Sequence, residues 1–431
     1  MDATVTLYCV CQQEYDLSRF MIECEACKDW FHGSCVGVEE HQASEIEVYH
    51  CPDCAKIHGP IVVKKRNWLE RLPPLKEKKG IQTGTGQFVK ELKGRTFPSA
   101  DQFVKHMSGY QITRKYLEES GFDYPIIVEK KEGLELRIPP STISMEEIEQ
   151  LVGPLREIDV IDVERQEDFK LLIHEWVEYF KSPNRQRILN VISLEFSTTR
   201  LSELVEPPSI VRELSWVDTV WGHEPLPEDC PYARPAVQKY CLMGVKDSFT
   251  DFHVDFGGTS VWYHVLRGEK IFYLIKPTQT NLHLYENWVS SANQSSLFFG
   301  DQVDSCYKCV LKHGQTLLIP TGWIHAVLTP IDSLVFGGNF LHSLNIPLQL
   351  QIYEMEKRVN TPEQFLFPVF ETSCWYAARH TLELLKGKPV HRQYRAQMKT
   401  YAAVAMHKQN CAQHQKRGQQ LSVPHGAVPE I

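Results

Sequence analysis

The spacing of apolar positions changes along this chain, and each change marks a boundary. Over residues 59–86 no apolar period is sustained, and Gly59-Pro60, Lys64-Lys65-Arg66, Pro73-Pro74, Lys76 to Lys79 and Gly84-Thr85-Gly86 predict a flexible basic linker. From Gln87 to Tyr179 apolar residues recur at helical spacing, as in Phe103, Val104, Met107 and again in Leu171, Leu172, Trp176, Tyr179. Pro98-Ser99 and Ser144 with Glu147 are helix starts, so residues 87–184 are expected to form a helical region packed on the β-rich half of the chain. From Ile188 the pattern becomes short β-rich runs split by Gly and Pro: Ile188–Phe196, Val237–Val245, Ser260–Leu266, Lys270–Ile275, Gln315–Ile319 and Leu334–Phe340. Antiparallel strands so spaced predict a jelly-roll or cupin-like barrel over 185–345, with a dry interior able to hold a metal. Pro347 to Arg358 and Pro362 to Leu385 read as amphipathic helices within 346–400 that cover the barrel or make a dimer face, and 401–431 stays unassigned. The expected class is α+β.

Composition narrows the function. A length of 431 residues suits two or three structural units, and 42% hydrophobic with 23% charged residues is ordinary for globular chains. No apolar run reaches the ~18 residues of a membrane span, and Met1 to Cys11 has neither a basic n-region nor an apolar h-region, so no membrane or secreted role is expected. The net charge of −8 argues against a generic nucleic-acid binder, but charge is unevenly spread. Residues 1–55 carry eleven acids against Arg19 and Lys28, a net of −9, whereas residues 56–95 carry eleven Lys or Arg against three Glu, a net of +8. A second basic stretch runs from Lys386 to Arg417. An acidic module beside a basic linker suits a nucleosome, which offers both basic tails and phosphate.

Seven of the thirteen cysteines lie between Cys9 and Cys54. With an odd total and no export signal, clustered cysteines point to metal ligation in a reducing compartment. Their order is Cys9-x-Cys11, Cys24-x2-Cys27, His32-x2-Cys35 and Cys51-x2-Cys54, eight ligands for two tetrahedral zinc ions. So short a segment buries too little apolar surface to fold unaided, which makes zinc part of its folding free energy. Four cysteines, one histidine and three cysteines in this order resemble a PHD finger, here over 1–58; Trp30, two residues before His32, favours it over the related RING arrangement. The resemblance implies one zinc on Cys9, Cys11, His32 and Cys35 and another on Cys24, Cys27, Cys51 and Cys54.

Tyr8, Tyr15 and Trp30 lie beside these ligands with Met21 near them. Aromatic faces hold quaternary ammonium groups through the ring quadrupole, so the four residues fit a methyl-lysine cage better than a finger core. In PHD fingers of this type the matching positions hold trimethylated lysine 4 of histone H3, and the finger's charge suits that basic tail.

The β-rich half contains Thr250-Asp251-Phe252-His253-Val254-Asp255, in which His253 and Asp255, two apart on a strand, share a face. His325 lies seventy residues after Asp255, and two His with one carboxylate on one octahedral face is the ligand set of non-haem Fe(II) oxygenases. Lys270 lies on a following strand, where an ammonium could pair with a dicarboxylate. Two alternatives are weaker: Cys306-x2-Cys309 lacks a partner pair, and His264 reads as a core histidine. The stretch 185–345 resembles the JmjC domain of Fe(II)- and 2-oxoglutarate-dependent oxygenases, and its union with a PHD finger resembles the histone lysine demethylases of the PHD finger protein 8 group. That resemblance implies iron on His253, Asp255 and His325, and 2-oxoglutarate on Lys270 and Thr250 with Tyr263 beside it. It also implies Asn190 and Asn339 near the co-substrate and the methylated ammonium, and Ile192 lining the methyl-lysine channel. Fe(II), 2-oxoglutarate, O2 and two Zn(II) are then the expected cofactors. The expected partners are the histone H3 tail and the nucleosome, with DNA touched by the basic linker, and the expected compartment is the nucleus.

Overall fold

A computed structural model describes residues 8–16, 19–64, 82–221 and 233–387. The finger pairs β1 (Met21–Glu23) with β2 (Trp30–His32) and β3 (Ile46–Val48) with β4 (Val62–Val63), all antiparallel. Because β4 lies at 62–63, the finger runs past residue 58, where its sequence pattern suggested an end. Lys64 belongs to it too, donating from Nζ to Ser44 O at 2.9 Å. Residues 65–81 of the expected linker, with Lys65 and Arg66, lie outside the described residues, as does the tail 401–431.

The region 87–184 holds helices, among them Gly86–Gly94, Met145–Val152 and Ile173–Lys181, and Ser144 caps the second with Glu147 as the sequence predicts. It also holds four strands where helix alone was expected: β5 (Lys105–Met107), β6 (Ile126–Val128), β7 (Glu157–Asp162) and β8 (Glu167–Leu172). In β7 burial alternates, with Ile158, Val160 and Asp162 buried between more exposed residues, a two-residue period short enough to be lost between helices. The run Leu171, Leu172, Trp176, Tyr179 looks continuous because it crosses from β8 straight into a helix.

These strands join β9 (Leu189–Glu195), β10 (Tyr240–Gly244), β11 (Phe249–His253), β12 (Ser260–Ile275), β13 (Tyr307–Lys312), β14 (Thr316–Ile319) and β15 (Ile324–Phe340) in one sheet. The two long strands organise it. The first half of β12 pairs with β14 and the end of β15, while its second half pairs with β13 and the start of β15. Register shifts between Val265 and Ile271 bend both strands, so their halves turn toward each other as in a jelly roll. Gly268 sits in this bend at φ +86°, and a Cβ there would lie 2.4 Å from Asp332 O.

Alternation then sorts the side chains. Tyr263, Val265, Phe272, Leu274, Leu317 and Val335 meet inside the roll. Ile271, Tyr273, Ala326 and Leu328 face outward under the helices Gly86–Gly94 and Gln279–Val289. Trp262, Leu318 and Phe336 face the other way, under Ile148 and Trp176. Beyond β15 the helices Ile346–Arg358 and Phe370–Gly387 pack at the open end, Ile352 against the outward core and Phe370 against Trp216 and Trp221.

Candidate metal and co-substrate site

His253 ends β11 and is the register partner of His325 on β15, so antiparallel pairing places the two rings side by side, with centroids 4.3 Å apart. Asp255 is not on the strand with His253, as its two-residue spacing suggested. It lies just past β11 and leads into the turn Phe256–Gly258. Its Oδ2 still reaches within 3.8 Å of His325 Nε2, and the three ligand atoms all lie within 4.8 Å of one another.

Hydrogen bonds orient each ligand. His253 Nδ1 donates to Asp251 O at 2.9 Å and His325 Nδ1 to Trp323 O at 3.1 Å, which fixes both rings and turns the Nε2 of His325 toward Asp255. Burial, aided by neighbouring His253, lowers His325 to about 4, so its imidazole is neutral at physiological pH. Asn339 Nδ2 donates to Asp255 Oδ1 at 3.2 Å and to Thr259 Oγ1 at 2.9 Å. In this structure the Asn339 amide is therefore engaged by the carboxylate ligand. Two imidazoles and one oriented carboxylate form the donor set that suits Fe(II) and leaves positions open.

Deeper in the roll, Lys270 is 3% exposed, and its Nζ donates to Thr329 Oγ1 at 2.7 Å. No carboxylate pairs with it among the described residues, and burial pushes its ammonium down to about 7. Gly244 borders it so closely that a Cβ would lie 2.6 Å from Nζ. Asn190, opposite Gly244, donates from Nδ2 to Thr250 Oγ1 at 3.3 Å, and its buried Oδ1 has no partner among the described residues. Neighbouring strands thus converge on a cradle whose unneutralised cation fits a carboxylate, while the orphaned Asn190 Oδ1 calls for a hydrogen-bond donor. Tyr263 lies edge-on to Phe272 at 5.1 Å, and Phe272 lies 6.0 Å from His325, so ring contacts run from Tyr263 to the triad. Ile192 is half-buried, two residues from Asn190 on β9. Sequence reasoning missed Thr329 and Gly244, although counting in twos along the strand from His325 reaches Thr329.

Cys306 and Cys309 are both buried, but they sit in different cores. His264 is a satisfied core histidine bonded to Thr316 Oγ1 at 2.8 Å.

In the finger, Cys9, Cys11, His32 and Cys35 form one cluster and Cys24, Cys27, Cys51 and Cys54 another. Two sulfurs on one tetrahedral zinc should be ~3.8 Å apart for Zn–S near 2.3 Å; Cys27 Sγ and Cys51 Sγ are 3.9 Å apart. Burial would raise the Cys9 thiol, but N–H groups of Cys11 and His32 outweigh it and bring it down to about 6. Tyr8 and Tyr15 meet edge to face at 6.3 Å. Met21 and Trp30 share a face of the β1–β2 pair, diagonal to each other, because Met21 opposes His32 and Glu23 opposes Trp30. Tyr15 is 59% exposed and Trp30 42%, which rules them out as finger core.

Residues 9–54 match the PHD-finger family, 240–340 the family described as JmjC domain, hydroxylase, and 344–430 the Jumonji helical domain. The chain is 57% identical over 408 residues to histone lysine demethylase PHF8 of Danio rerio, covering 94% of this chain and 39% of that protein. It is 60% identical over 383 residues to lysine-specific demethylase 7A of Mus musculus, covering 88% and 40%. With lysine-specific demethylase 7B of Danio rerio it shares 60% identity over 387 residues, covering 89% and 66%. The chain thus spans about two fifths of the first two relatives and about two thirds of the third. A PHD finger, a JmjC domain and a Jumonji helical domain succeed one another here, and the chain belongs to the JmjC family in the group whose relatives carry these demethylase names.

Proposed function

We propose that this chain is an Fe(II)- and 2-oxoglutarate-dependent histone lysine demethylase, acting in the nucleus on mono- or dimethyl-lysine such as lysine 9 of histone H3. Its finger brings it to H3 tails of nucleosomes that carry trimethylated lysine 4. The observation that carries this reading is the buried, unneutralised Lys270 in the same roll as the His253, Asp255, His325 triad: the pairing suits a metal with a dicarboxylate co-substrate. Iron with 2-oxoglutarate and O2 supplies the oxidation of an N-methyl carbon, yielding succinate and CO2 and releasing the methyl group as formaldehyde.

The chain's residues hold and exclude. Lys270 and Thr250 clamp the distal carboxylate of the co-substrate, Asn190 donates from Nδ2 to the Thr250 hydroxyl and orients it, and Tyr263 closes the wall. Asn339 keeps the second oxygen of Asp255 turned away from the metal position. The apolar interior of Phe272, Leu274 and Val335 keeps water from the reacting groups. In the finger, Tyr8, Tyr15, Met21 and Trp30 surround the trimethylammonium, while the −9 charge of residues 1–55 attracts the basic tail.

Zinc-loaded full chain with Fe(II) and 2-oxoglutarate, incubated with mono-, di- and trimethylated H3 peptides and followed by mass spectrometry, should show a loss of about 14 mass units, one CH2, for each methyl removed. His253→Ala should abolish that loss yet leave finger binding unchanged. A gain of about 16 mass units with every methyl retained would identify a side-chain hydroxylase instead. No change on any peptide would leave only a reader.

A further inference from the structure

Glu356 lies near the end of the helix Ile346–Arg358, outside the roll and within the stretch that matches the Jumonji helical domain. It is 7% exposed and has no ion pair among the described residues. Its Oε1 accepts the N–H of Gly257 at 2.9 Å, and its Oε2 is buried without a partner among the described residues. A buried carboxyl with no cation is costly, and an apolar side chain would fill the same space at less cost. Its one satisfied bond is therefore the informative feature.

That bond ends on the turn following Asp255. Gly257 and Gly258 have φ of +60° and +64°, and a Cβ on either would meet Phe367 and Phe370 or Gln349 and Ile352 at 3.0–3.1 Å. Both glycines are thus pressed against the helical segment. Gly258 N–H closes back on Asp255 O at 3.0 Å, so the turn that Glu356 holds is bonded to the carboxylate ligand's own backbone. On the other side of the ligand, the backbone at Val254 is hydrogen-bonded to Tyr285, from the helix Gln279–Val289. Asp255 is suspended between these two attachments.

We propose that Glu356 is a positioning residue of the metal centre: by holding the N–H of Gly257 it sets the Phe256–Gly258 turn, and through it the carboxylate of Asp255, so that the helical segment governs metal affinity. This rests on reading His253, Asp255 and His325 as the metal ligands.

The test is Mn(II) binding to zinc-loaded full chain, read from the free-ion electron paramagnetic resonance signal, since Mn(II) prefers the oxygen and imidazole site to thiolates. Burial pushes the Glu356 carboxyl up to about 7, so Glu356→Gln, which keeps a carbonyl acceptor, should bind Mn(II) within about two-fold of wild type. Glu356→Asp, one methylene too short, and Glu356→Leu, with no acceptor, should each weaken binding by about ten-fold or more, the size seen when outer partners of metal ligands are lost. Once metal is saturating, the KM for 2-oxoglutarate should be unchanged. If Glu356→Leu does not fold, the Asp and Gln variants decide the matter. Lower thermal stability with wild-type Mn(II) affinity in Glu356→Asp would overturn the proposal by showing a packing role only. Equal Mn(II) affinity in wild type and His253→Ala would overturn the metal reading itself and the proposal with it.

Discussion

Lys270 ties its own ionisation to the chemistry proposed for the site. Burial lowers it from 10.5 to about 7, so between these values the folded chain holds fewer protons than the unfolded one. Its contribution to stability therefore rises with pH across that window. A bound dicarboxylate favours the ammonium and reverses the balance: above about pH 7, binding must take up a proton, and affinity falls by up to about ten-fold per pH unit. Calorimetric titration of 2-oxoglutarate into Mn(II)-loaded chain should show weaker binding at pH 9 than at pH 7, and Lys270→Met should bind weakly at both. A flat profile in wild type would mean that Lys270 does not hold the ligand. This lysine and the triad could be read from sequence because few residue types ligate metals or pair with carboxylates. Thr329, Gly244 and Glu356 could not, since a threonine, a glycine and a helical glutamate acquire meaning only once register sets them against Nζ or against the turn after Asp255. Asn339, expected near the co-substrate and the methylated ammonium, donates its amide to Asp255, a contact that no spacing in the sequence announces.

Among the elements, the strands that carry the site were visible as β-rich runs, whereas their bends were not. Ser260–Leu266 and Lys270–Ile275 read as two strands because Arg267, Gly268 and Glu269 separate them, yet they are the halves of β12. Likewise Pro330 and Asp332 hid the first half of β15, so only Leu334–Phe340 was expected. A jelly roll needs such interruptions, because polar residues and glycine accommodate the change of register that an unbroken apolar run would resist. Gly268 and Gly314 have nearly the same φ, +86° and +84°, but a Cβ at Gly314 meets nothing within 4 Å whereas at Gly268 it meets Asp332 O at 2.4 Å. Gly314→Ala should therefore cost about 1–2 kcal/mol for the left-handed backbone alone. Gly268→Ala should cost more, since it must also displace the residue whose carboxylate holds Lys246 N and Arg185. Urea denaturation of both variants makes the comparison, and equal losses would show that close approach does not set this bend.

Across the whole molecule, the order of finger, roll and helical segment was legible, but the seat of the finger was not. Leu155 and Leu172, from the region before the roll, join Phe31, Val38 and Ile46 in the finger's core, and Gln42 Nε2 donates to Leu155 O at 3.4 Å. Nothing marks those two leucines in the sequence, where they look like any core positions. At the linker's far end Thr83 is buried, bonded from its N–H to Ser295 O and by its side chain to Asp251, two residues before His253. Contacts thus restrict both ends of a span whose sequence predicts free motion. On one H3 tail, lysine 4 and lysine 9 are five residues apart, about 17 Å when extended at ~3.3–3.6 Å per residue. If a seated finger offers the tail in that register, binding the trimethyl mark makes entry of lysine 9 intramolecular and raises its local concentration. On a peptide carrying both marks, trimethylation of lysine 4 should raise kcat/KM for demethylating dimethyl-lysine 9 by about ten-fold, mostly through KM. Trp30→Ala should erase the gain without changing the rate on a peptide lacking the lysine-4 mark. A gain that survives Trp30→Ala would remove the finger from substrate delivery. A rate lowered by the lysine-4 mark would mean that the seated finger holds lysine 9 away from the roll, and that the productive lysine lies farther along the tail.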